Sequence, residues 1–357
     1  MPFSKEQSGV NANKQKFPSE LRFDLASRDW VVIATGRAKR PEMFKGEKKA
    51  EAKMSEKDCP FCQIGTQERP VAVYYKGKGI SVLEEWPMAK PYKNWTTIII
   101  PNKYPAFLPH PHLDETIEGG LYQRLNAVGY HELIITADHE KSLALLPESH
   151  IKEVIDAYQE RFSELKREDF VSYVSIFHNH GKEAGASQPH PHSQLITTPL
   201  LDVDLIQALV NSERFFKKHN KCLYCEMTAW ELKTRKRIVF ENEEFVVLCP
   251  FASKTAFEMI ISPKKHSSQF EEAKESQKEH LAEAFKKALA KLYYGLGNPA
   301  YNFYLHTAPC DGKDYSYYHW HWTILPKTNI SAGFEIGTRI EISTIEPEKA
   351  AEYLRKQ

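Results

Sequence analysis

The chain has almost no imbalance of charge: 48 Lys and Arg stand against 47 Asp and Glu in 357 residues, a formal net of +1. That balance gives no support to a nucleic-acid-binding or membrane-surface protein, either of which needs a concentrated basic face. Long hydrophobic runs are also missing. No apolar stretch reaches the ~18 residues of a membrane-spanning helix, and the opening MPFSKEQSGVNANKQKFPSE has no apolar signal segment. Residues 1–20 are expected to form a loosely ordered polar lead-in, and the chain to be soluble and cytoplasmic, with no nucleic-acid or membrane partner. What is present is enough apolar matter, 41% of residues with 12% aromatic, to fill a sizeable core. A chain of this length exceeds the usual single core, so two domains or two fused units are expected.

Cysteine is scarce, and its placement is informative. Four of the six cysteines form two Cys-x-x-Cys pairs, Cys59-Pro-Phe-Cys62 and Cys222-Leu-Tyr-Cys225. In an intracellular protein this spacing favours metal thiolates over structural disulfides. A thioredoxin-like redox pair is the competing reading, although neither pair stands between a clear strand and a clear helix. Cys249 and Cys310 read as ordinary semi-buried thiols.

Downstream of each pair the same order of features recurs. After Cys59 and Cys62 come an apolar strand over 132–136, His139, a helical stretch near 149–167, an alternating strand over 171–177, and His190-Pro-His192. After Cys222 and Cys225 come a strand over 257–262, His266, a helix near 271–295, a strand over 301–305, and His319-Trp-His321. His139 and His190 are 51 residues apart, and His266 and His319 are 53 apart. Matching order and spacing point to two copies of one α+β unit. Each copy offers two thiolates and two imidazoles: Cys59, Cys62, His139 and His190 in the first, Cys222, Cys225, His266 and His319 in the second. Such a set closes a tetrahedral zinc site with no position left for water, so both metals are expected to be structural.

The run from Gly185 to Gln194, Gly-Ala-Ser-Gln-Pro-His-Pro-His-Ser-Gln, reads as a small-residue loop feeding a strand. Alternate strand residues share a face, so His190, His192 and Gln194 are expected side by side, about 7 Å between neighbours. His192 can attack phosphorus, Gln194 can donate to a non-bridging oxygen, and Ser187 with the loop N–H groups can hold the rest of an anion. The plain alternative is a pair of histidines on a solvated strand edge. In the second copy Trp322 and Thr323 replace Ser193 and Gln194, and the Gly-Ala-Ser loop is missing. That copy is expected to support the fold or a neighbouring site and to do no chemistry itself.

These residues together resemble the galactose-1-phosphate uridylyltransferase branch of the histidine-triad superfamily, over nearly the whole chain from about residue 20 onward. The resemblance implies two tandem histidine-triad-like units, each an antiparallel half-barrel sheet packed with helices. The units are a catalytic one over 21–200 with the first zinc site and another over 201–357 with the second. The segment Gly36-Arg-Ala-Lys-Arg-Pro41 is similar to a signature whose arginines contact substrate phosphates, which makes Arg37 and Arg40 phosphate-binding candidates; the alternative is a solvated basic turn. Asn179 stands where the family positions a phosphate. Gly185, Ala186 and Ser187 stand in its phosphate loop, with Ala186 where Cys or Ser is usual. His190 resembles the metal-binding first histidine, His192 the nucleophile, Gln194 the glutamine that steadies the nucleotidyl-enzyme, and Asp138-His139 the pair whose histidine completes the zinc site.

Asn102 matches a segment that cradles ribose and base, although Lys103 replaces an aspartate found in several uridylyltransferases. Gly333-Phe334-Glu335 is similar to a segment that reads hexose hydroxyls across a dimer interface, so Glu335 and a homodimer are expected. Thr338-Arg339-Ile340-Glu341 follows Glu335 where the family has a glutamine. The second Cys-x-x-Cys pair looks more like ADP-glucose phosphorylase relatives than like the enzymes with a carboxylate there. Trp320, Trp322, Tyr317 and Tyr318 can line an interface or fill a core.

The expected activity is ping-pong transfer of a nucleoside monophosphate through a nucleotidyl-histidine, with a nucleotide sugar and a hexose 1-phosphate as partners. Uridylyl transfer between UDP-glucose and galactose 1-phosphate comes first. An ADP-glucose phosphorylase-like adenylyl transfer is the alternative, and a non-enzymatic zinc-binding module is the second.

Overall fold

The computed structural model describes residues 19–34, 41–44, 54–76, 78–81 and 94–357. Arg37 and Arg40 therefore lie outside the described residues. In the first half the strands are β1 (Glu20–Phe23), β2 (Trp30–Ile33), β3 (Ala72–Tyr75), β4 (Lys78–Ser81), β5 (Thr97–Pro101), β6 (Glu115–Glu118), β7 (Tyr122–Leu125), β8 (His131–Thr136), β9 (Tyr173–His180) and β10 (His192–Thr198). The second half adds β11 (Ile238–Glu241), β12 (Phe245–Leu248), β13 (Met259–Pro263), β14 (Tyr301–His306), β15 (His321–Pro326) and β16 (Ile342–Ser343). The helices are α1 (Glu148–Leu165), α2 (Val203–His219), α3 (Leu223–Thr234), α4 (Glu275–Leu296), α5 (Gly333–Thr338) and α6 (Pro347–Arg355).

Eleven strands form one sheet in the order β11-β12-β13-β15-β14-β9-β10-β8-β5-β3-β4, and every pairing in it is antiparallel. The order β3-β5-β8-β10-β9 is repeated by β11-β12-β13-β15-β14, with β4 as an extra edge. The registers repeat as well. Gln194 stands between Leu133 and Phe177, and Thr323 stands between Ile260 and Tyr304. The halves meet where β9 pairs with β14, putting Asn179 opposite Asn302 and His178 opposite Phe303. The fold is thus α+β with a large antiparallel sheet, and no closed barrel forms among the described strands.

The burial pattern explains how one face of this sheet stays free for a site. In β14 buried and half-buried residues alternate, the signature of a sheet covered by core on one side only. Val174, Ile176, Leu195, Tyr301, Phe303 and Leu305 point into the main core. There α1 brings Ile151, Val154, Ile155, Tyr158 and Phe162, and α4 brings Leu281, Phe285, Leu289 and Leu292. Both sets recur at three- and four-residue intervals, the stripe an amphipathic helix buries. Lys278 of α4 ties the two helices through Asp156 at 2.6 Å. Opposite residues of the same strands, including Phe177, Asn179, His192, Gln194, Asn302, Tyr304 and His306, face away from those helices. Trp320, Trp322 and Tyr318 are fully buried, so of the two readings open for these aromatics the core holds for them, whereas Tyr317 is half-buried.

The strands expected over 132–136 and 301–305 form within a residue of their expected ends, and the helices expected near 149–167 and 271–295 form as α1 and α4. A less local feature is that β2 pairs with β1 and, in parallel, with β16 from the other end of the chain. Arg22 strengthens that junction by reaching Glu348 of α6 at 3.0 Å. No helix among the described residues is long and apolar enough to cross a membrane.

Glu258, buried just ahead of β13, accepts the Lys254 N–H at 2.5 Å, and burial pushes its carboxyl up to about 7 from an ordinary value of 4.5. Between those values the folded chain holds a proton that the unfolded chain has lost. Its contribution is whole below the lower value and gone above the higher one, so stability falls as pH rises through that window, by on the order of 3 kcal/mol. Urea midpoints across that range should show the fall in the native protein and a flatter profile in Glu258→Gln; identical profiles would contradict it.

Candidate active site

The site begins with a strand start. β10 opens at His192, so His192 and Gln194 lie on one face while Ser193 turns to the helices, where its Oγ meets Tyr158 Oη at 2.5 Å and His178 Nδ1 at 3.0 Å. His190 precedes the strand instead of sharing its face. Its ring is committed elsewhere: Nε2 donates to Thr136 O at 2.7 Å, and Nδ1 faces Cys59 Sγ and Cys62 Sγ, each at 3.5 Å. The carbonyl of the same residue accepts from His192 Nδ1 at 2.9 Å. That bond places the His192 proton on Nδ1 and leaves Nε2 as a bare acceptor, and burial holds the ring's pKa below its ordinary 6.5. A neutral imidazole of fixed tautomer is what attack on an electrophile requires. Phe61, from the loop between Cys59 and Cys62, sets its ring 5.0 Å from that of His192 and 5.8 Å from that of His190.

Gln194 is held by a residue the sequence did not single out. Ala106 N–H donates to His131 Nδ1 at 3.1 Å, which puts the ring proton on Nε2, and that nitrogen lies 2.9 Å from Gln194 Oε1. With its carbonyl oxygen engaged, Gln194 has its NH2 as the donor left to offer. Asn102 stands beside the same His131 nitrogen at 3.1 Å, its Oδ1 accepting from Tyr104 N at 3.0 Å. Across the junction, Asn302 Nδ2 donates to Asn179 Oδ1 at 2.7 Å and to Ala184 O at 2.8 Å, tying β9 to the loop that follows it. Gly185 in that loop has φ +85°, a conformation suited to glycine, and Gly185, Ala186 and Ser187 run on from it.

Glu335 is not brought to this group. It lies in the exposed α5, where its Oε2 accepts from Ala332 N at 3.0 Å and helps close the helix start. His192, Gln194, Asn102 and Asn179 do share one sheet face, with the Gly185–Ser187 loop tied to it.

Two further clusters carry the predicted metal ligands: Cys59, Cys62, His139 and His190, and Cys222, Cys225, His266 and His319, the ligand atoms of each lying within 4.8 Å of one another. In the first, His139 Nδ1 is 3.1 Å from Cys62 Sγ and 3.2 Å from His190 Nδ1, while its Nε2 donates to Met54 O at 2.8 Å. In the second, Cys225 Sγ is 3.4 Å from both His266 Nδ1 and His319 Nδ1, whose Nε2 atoms donate to Ser316 O and Pro263 O. With every Nε2 proton given to a carbonyl, each Nδ1 lone pair points inward. Four inward-facing donors with no protein cation between them can hold a metal ion. Cys222 stands at the N-terminal cap of α3, a helix start that the sequence did not mark beside the pair.

Residues 84–202 match the profile described as galactose-1-phosphate uridyl transferase, N-terminal domain, and residues 209–356 match its C-terminal domain. The chain is 30% identical to the ADP-glucose phosphorylase of Arabidopsis thaliana over 94% of this chain and 92% of that protein. It is 29% identical to the galactose-1-phosphate uridylyltransferase of Thermotoga maritima, over 94% of this chain and 98% of the other. The solved structure of an Arabidopsis thaliana ADP-glucose phosphorylase with bound ADP-glucose superposes with a TM-score of 0.76 at 27% identity, covering 95% of this chain and 99% of that one. Fold and matches together define a nucleotidyltransferase. The chain belongs to the galactose-1-phosphate uridylyltransferase family, within which the ADP-glucose phosphorylases are relatives.

Replacing His131 by Leu would leave Gln194 Oε1 and the Ala106 N–H without their partner. The expected cost is about 1–3 kcal/mol of unfolding free energy, read from urea denaturation; an unchanged midpoint would show that these bonds carry no net stability.

Proposed function

We propose that the protein transfers a nucleoside monophosphate between phosphorylated sugars through a covalent intermediate on His192. The observation that carries this is the His190 carbonyl bond to His192 Nδ1, which leaves Nε2 unprotonated on the face that Gln194 shares. In the first half-reaction the Nε2 lone pair forms a bond to the α-phosphorus of a nucleotide sugar. The bond from that phosphorus to the bridging oxygen breaks, and hexose 1-phosphate leaves with the electron pair. In the second, a phosphate oxygen of the acceptor attacks the same phosphorus and the P–N bond returns its pair to Nε2. The Gln194 NH2, oriented through His131, donates to a non-bridging oxygen on which charge builds. Asn179 and the backbone of Gly185, Ala186 and Ser187 hold the phosphates, Arg37 and Arg40 neutralise them, and Asn102 meets ribose and base.

We read the substrates as UDP-glucose and galactose 1-phosphate, which both domain matches and the Thermotoga maritima relative support. A second reading, adenylyl transfer from ADP-glucose, is favoured by the match to the Arabidopsis thaliana phosphorylase, which covers the same 94% of this chain, and by Lys103. Incubating the chain with each nucleotide sugar and weighing it intact separates them: a uridylyl increment supports the first and an adenylyl increment the second. His192→Ala should abolish the increment, and Gln194→Ala should slow its formation about a hundred-fold. Persistence of the adduct in His192→Ala would refute the assignment.

Both Cys/His clusters, in this reading, hold structural zinc. Tetrahedral zinc with sulfur at about 2.3 Å and nitrogen at about 2.0–2.1 Å implies S···N edges near 3.5 Å and an N···N edge near 3.3 Å. The first cluster has S···N distances of 3.1 and 3.5 Å and N···N of 3.2 Å. When bound, the ion supplies folding energy and a fixed anchor for His190. Elemental analysis should find two zinc ions per chain, one in Cys62→Ser and one in Cys225→Ser; zinc-free native protein would overturn this.

We take the working unit as a cytoplasmic homodimer in which Glu335 reads the hexose across the interface. Support comes from the exposed apolar side chains around α5, where Ile330 is 93% and Ile336 72% accessible. The division into units at 21–200 and 201–357, behind a lead of residues 1–20, belongs to the same reading.

A further inference from the structure

The second half keeps a cavity of which the chemistry above uses only the Asn179 end. About 1160 Å3 in volume, it lies on the site-bearing face of the sheet, floored by Tyr304, His306, His321 and Thr323 and walled by α2, α3 and the turn after β1. One end reaches Asn179 and Asn302. The rest runs toward His321, three strands along from His192, roughly 14 Å across the sheet at the usual strand spacing.

Two devices of the first site recur in it. His321 Nδ1 donates to His319 O at 3.2 Å, as His192 Nδ1 donates to His190 O, so His321 also leaves Nε2 as an acceptor. The second device anchors a loop. His131 stands two residues before the strand partner of Gln194, and Glu258 stands two residues before the strand partner of Thr323. His131 accepts the backbone N–H of Ala106, and Glu258 accepts that of Lys254. Each fixes the chain that leaves an equivalent strand, β5 in one half and β12 in the other. In the first half this is the segment assigned to ribose and base; in the second it brings Phe251 and Ala252 to the cavity wall.

The parts that would hold phosphate are replaced. Thr323 stands for Gln194, and the loop after β14 carries Asp311 where the loop after β9 carries Gly185, Ala186 and Ser187. Asp311 is turned to Lys313 Nζ at 2.7 Å and Tyr315 Oη at 3.0 Å. Among the lining residues six carboxylates, Asp24, Asp202 and Asp204 with three glutamates, outnumber the cations Lys236, Arg237 and Lys254, an excess that disfavours an anion. One oxygen of each aspartate is engaged, by backbone N–H groups at Asp24 and Asp202 and by Arg339 at Asp204, and the other can accept a hydroxyl donor. Aromatic surface remains plentiful: the His306 and His321 rings stack at 4.8 Å, and Tyr224 lies 5.1 Å from His321. The His306 ring nitrogens meet no hydrogen-bond partner among the described residues, so the unprotonated one is open to a donor from a ligand and the other can donate.

We propose that this cavity binds a nucleoside lacking its phosphate, with the base against the imidazole and tyrosine rings and the ribose hydroxyls on the carboxylates. The proposal rests on the nucleotide reading of the first half, of which it is the counterpart without the anion-holding parts. The site binds and does not transfer: no donor equivalent to Gln194 accompanies His321.

Calorimetric titration of the full-length chain with adenosine and with uridine tests it, using two variants away from the first site. Ala208→Trp fills the cavity from α2, and His306→Leu removes an acceptor. Expected are a nucleoside site in the native chain that persists when the first site is blocked by the nucleotidyl adduct on His192, its loss in Ala208→Trp, and at least ten-fold weaker binding in His306→Leu. The matching 5′-monophosphate should bind this site at least ten-fold more weakly than the nucleoside. Both variants should still take up the nucleotidyl increment at His192, which shows that they fold. Absence of nucleoside binding in the native chain, or binding unchanged in both variants, overturns the proposal. Loss of binding in an Ala208→Trp chain with the native urea midpoint, where even the native chain forms no adduct, would uphold the second site and refute nucleotidyl transfer.

Discussion

One residue, His190, joins the first Cys/His cluster to His192, and the arrangement of the candidate site depends on it. Its Nε2 proton goes to Thr136 O, its Nδ1 faces the Cys59 and Cys62 sulfurs, and its carbonyl accepts from His192 Nδ1. Each of these bonds fixes a different object: the β8 end, the Cys59–Cys62 loop and the tautomer of the next histidine but one. Removing the cluster's cohesion would release the Phe61 ring from beside His192 as well. An ion held by all four donors of this cluster would act on the neighbouring site through geometry, since the protein would fill its coordination shell.

The same economy appears in the sheet. Continuous pairing across β9 and β14 makes one surface of two halves, so the Asn179–Asn302 bond spans the junction between duplicated units. Buried helices on the far side, tied by Lys278 and Asp156, leave the near side for binding. The repeated strand order sets His192 with Gln194 on this face in the first half and His321 with Thr323 in the second, where the cavity beside His321 is lined by Asp24, Asp202 and Asp204.

Much of this was legible in the chain because it is encoded locally. Alternation in a strand placed His192 beside Gln194, and Cys-x-x-Cys spacing with matching downstream histidines marked both clusters. The α1 and α4 helices followed from a polar helical stretch near 149–167 and an Ala/Lys/Glu-rich one near 271–295. What escaped depended on contacts distant in sequence. His131 heads an apolar run and looks like its polar flank; only folding sets it against Gln194, Asn102 and Ala106. Glu258 gives no sign in sequence that it is buried. The β2–β16 pair joins residues some three hundred positions apart through two short strands that carry no pattern of their own. His190 was expected on the face of His192, but the proline between them delays the strand start to His192, and the ring turns to the thiols.

The chemistry turns on which nitrogen of which ring carries the nucleotide. Phosphorus–nitrogen coupling in the trapped intermediate, with selectively 15N-labelled histidine, reports this directly. The predicted result is phosphorus bonded to Nε2 of His192 while Nδ1 keeps its proton toward the His190 carbonyl. Phosphorus on Nδ1, or on any other side chain, would contradict it.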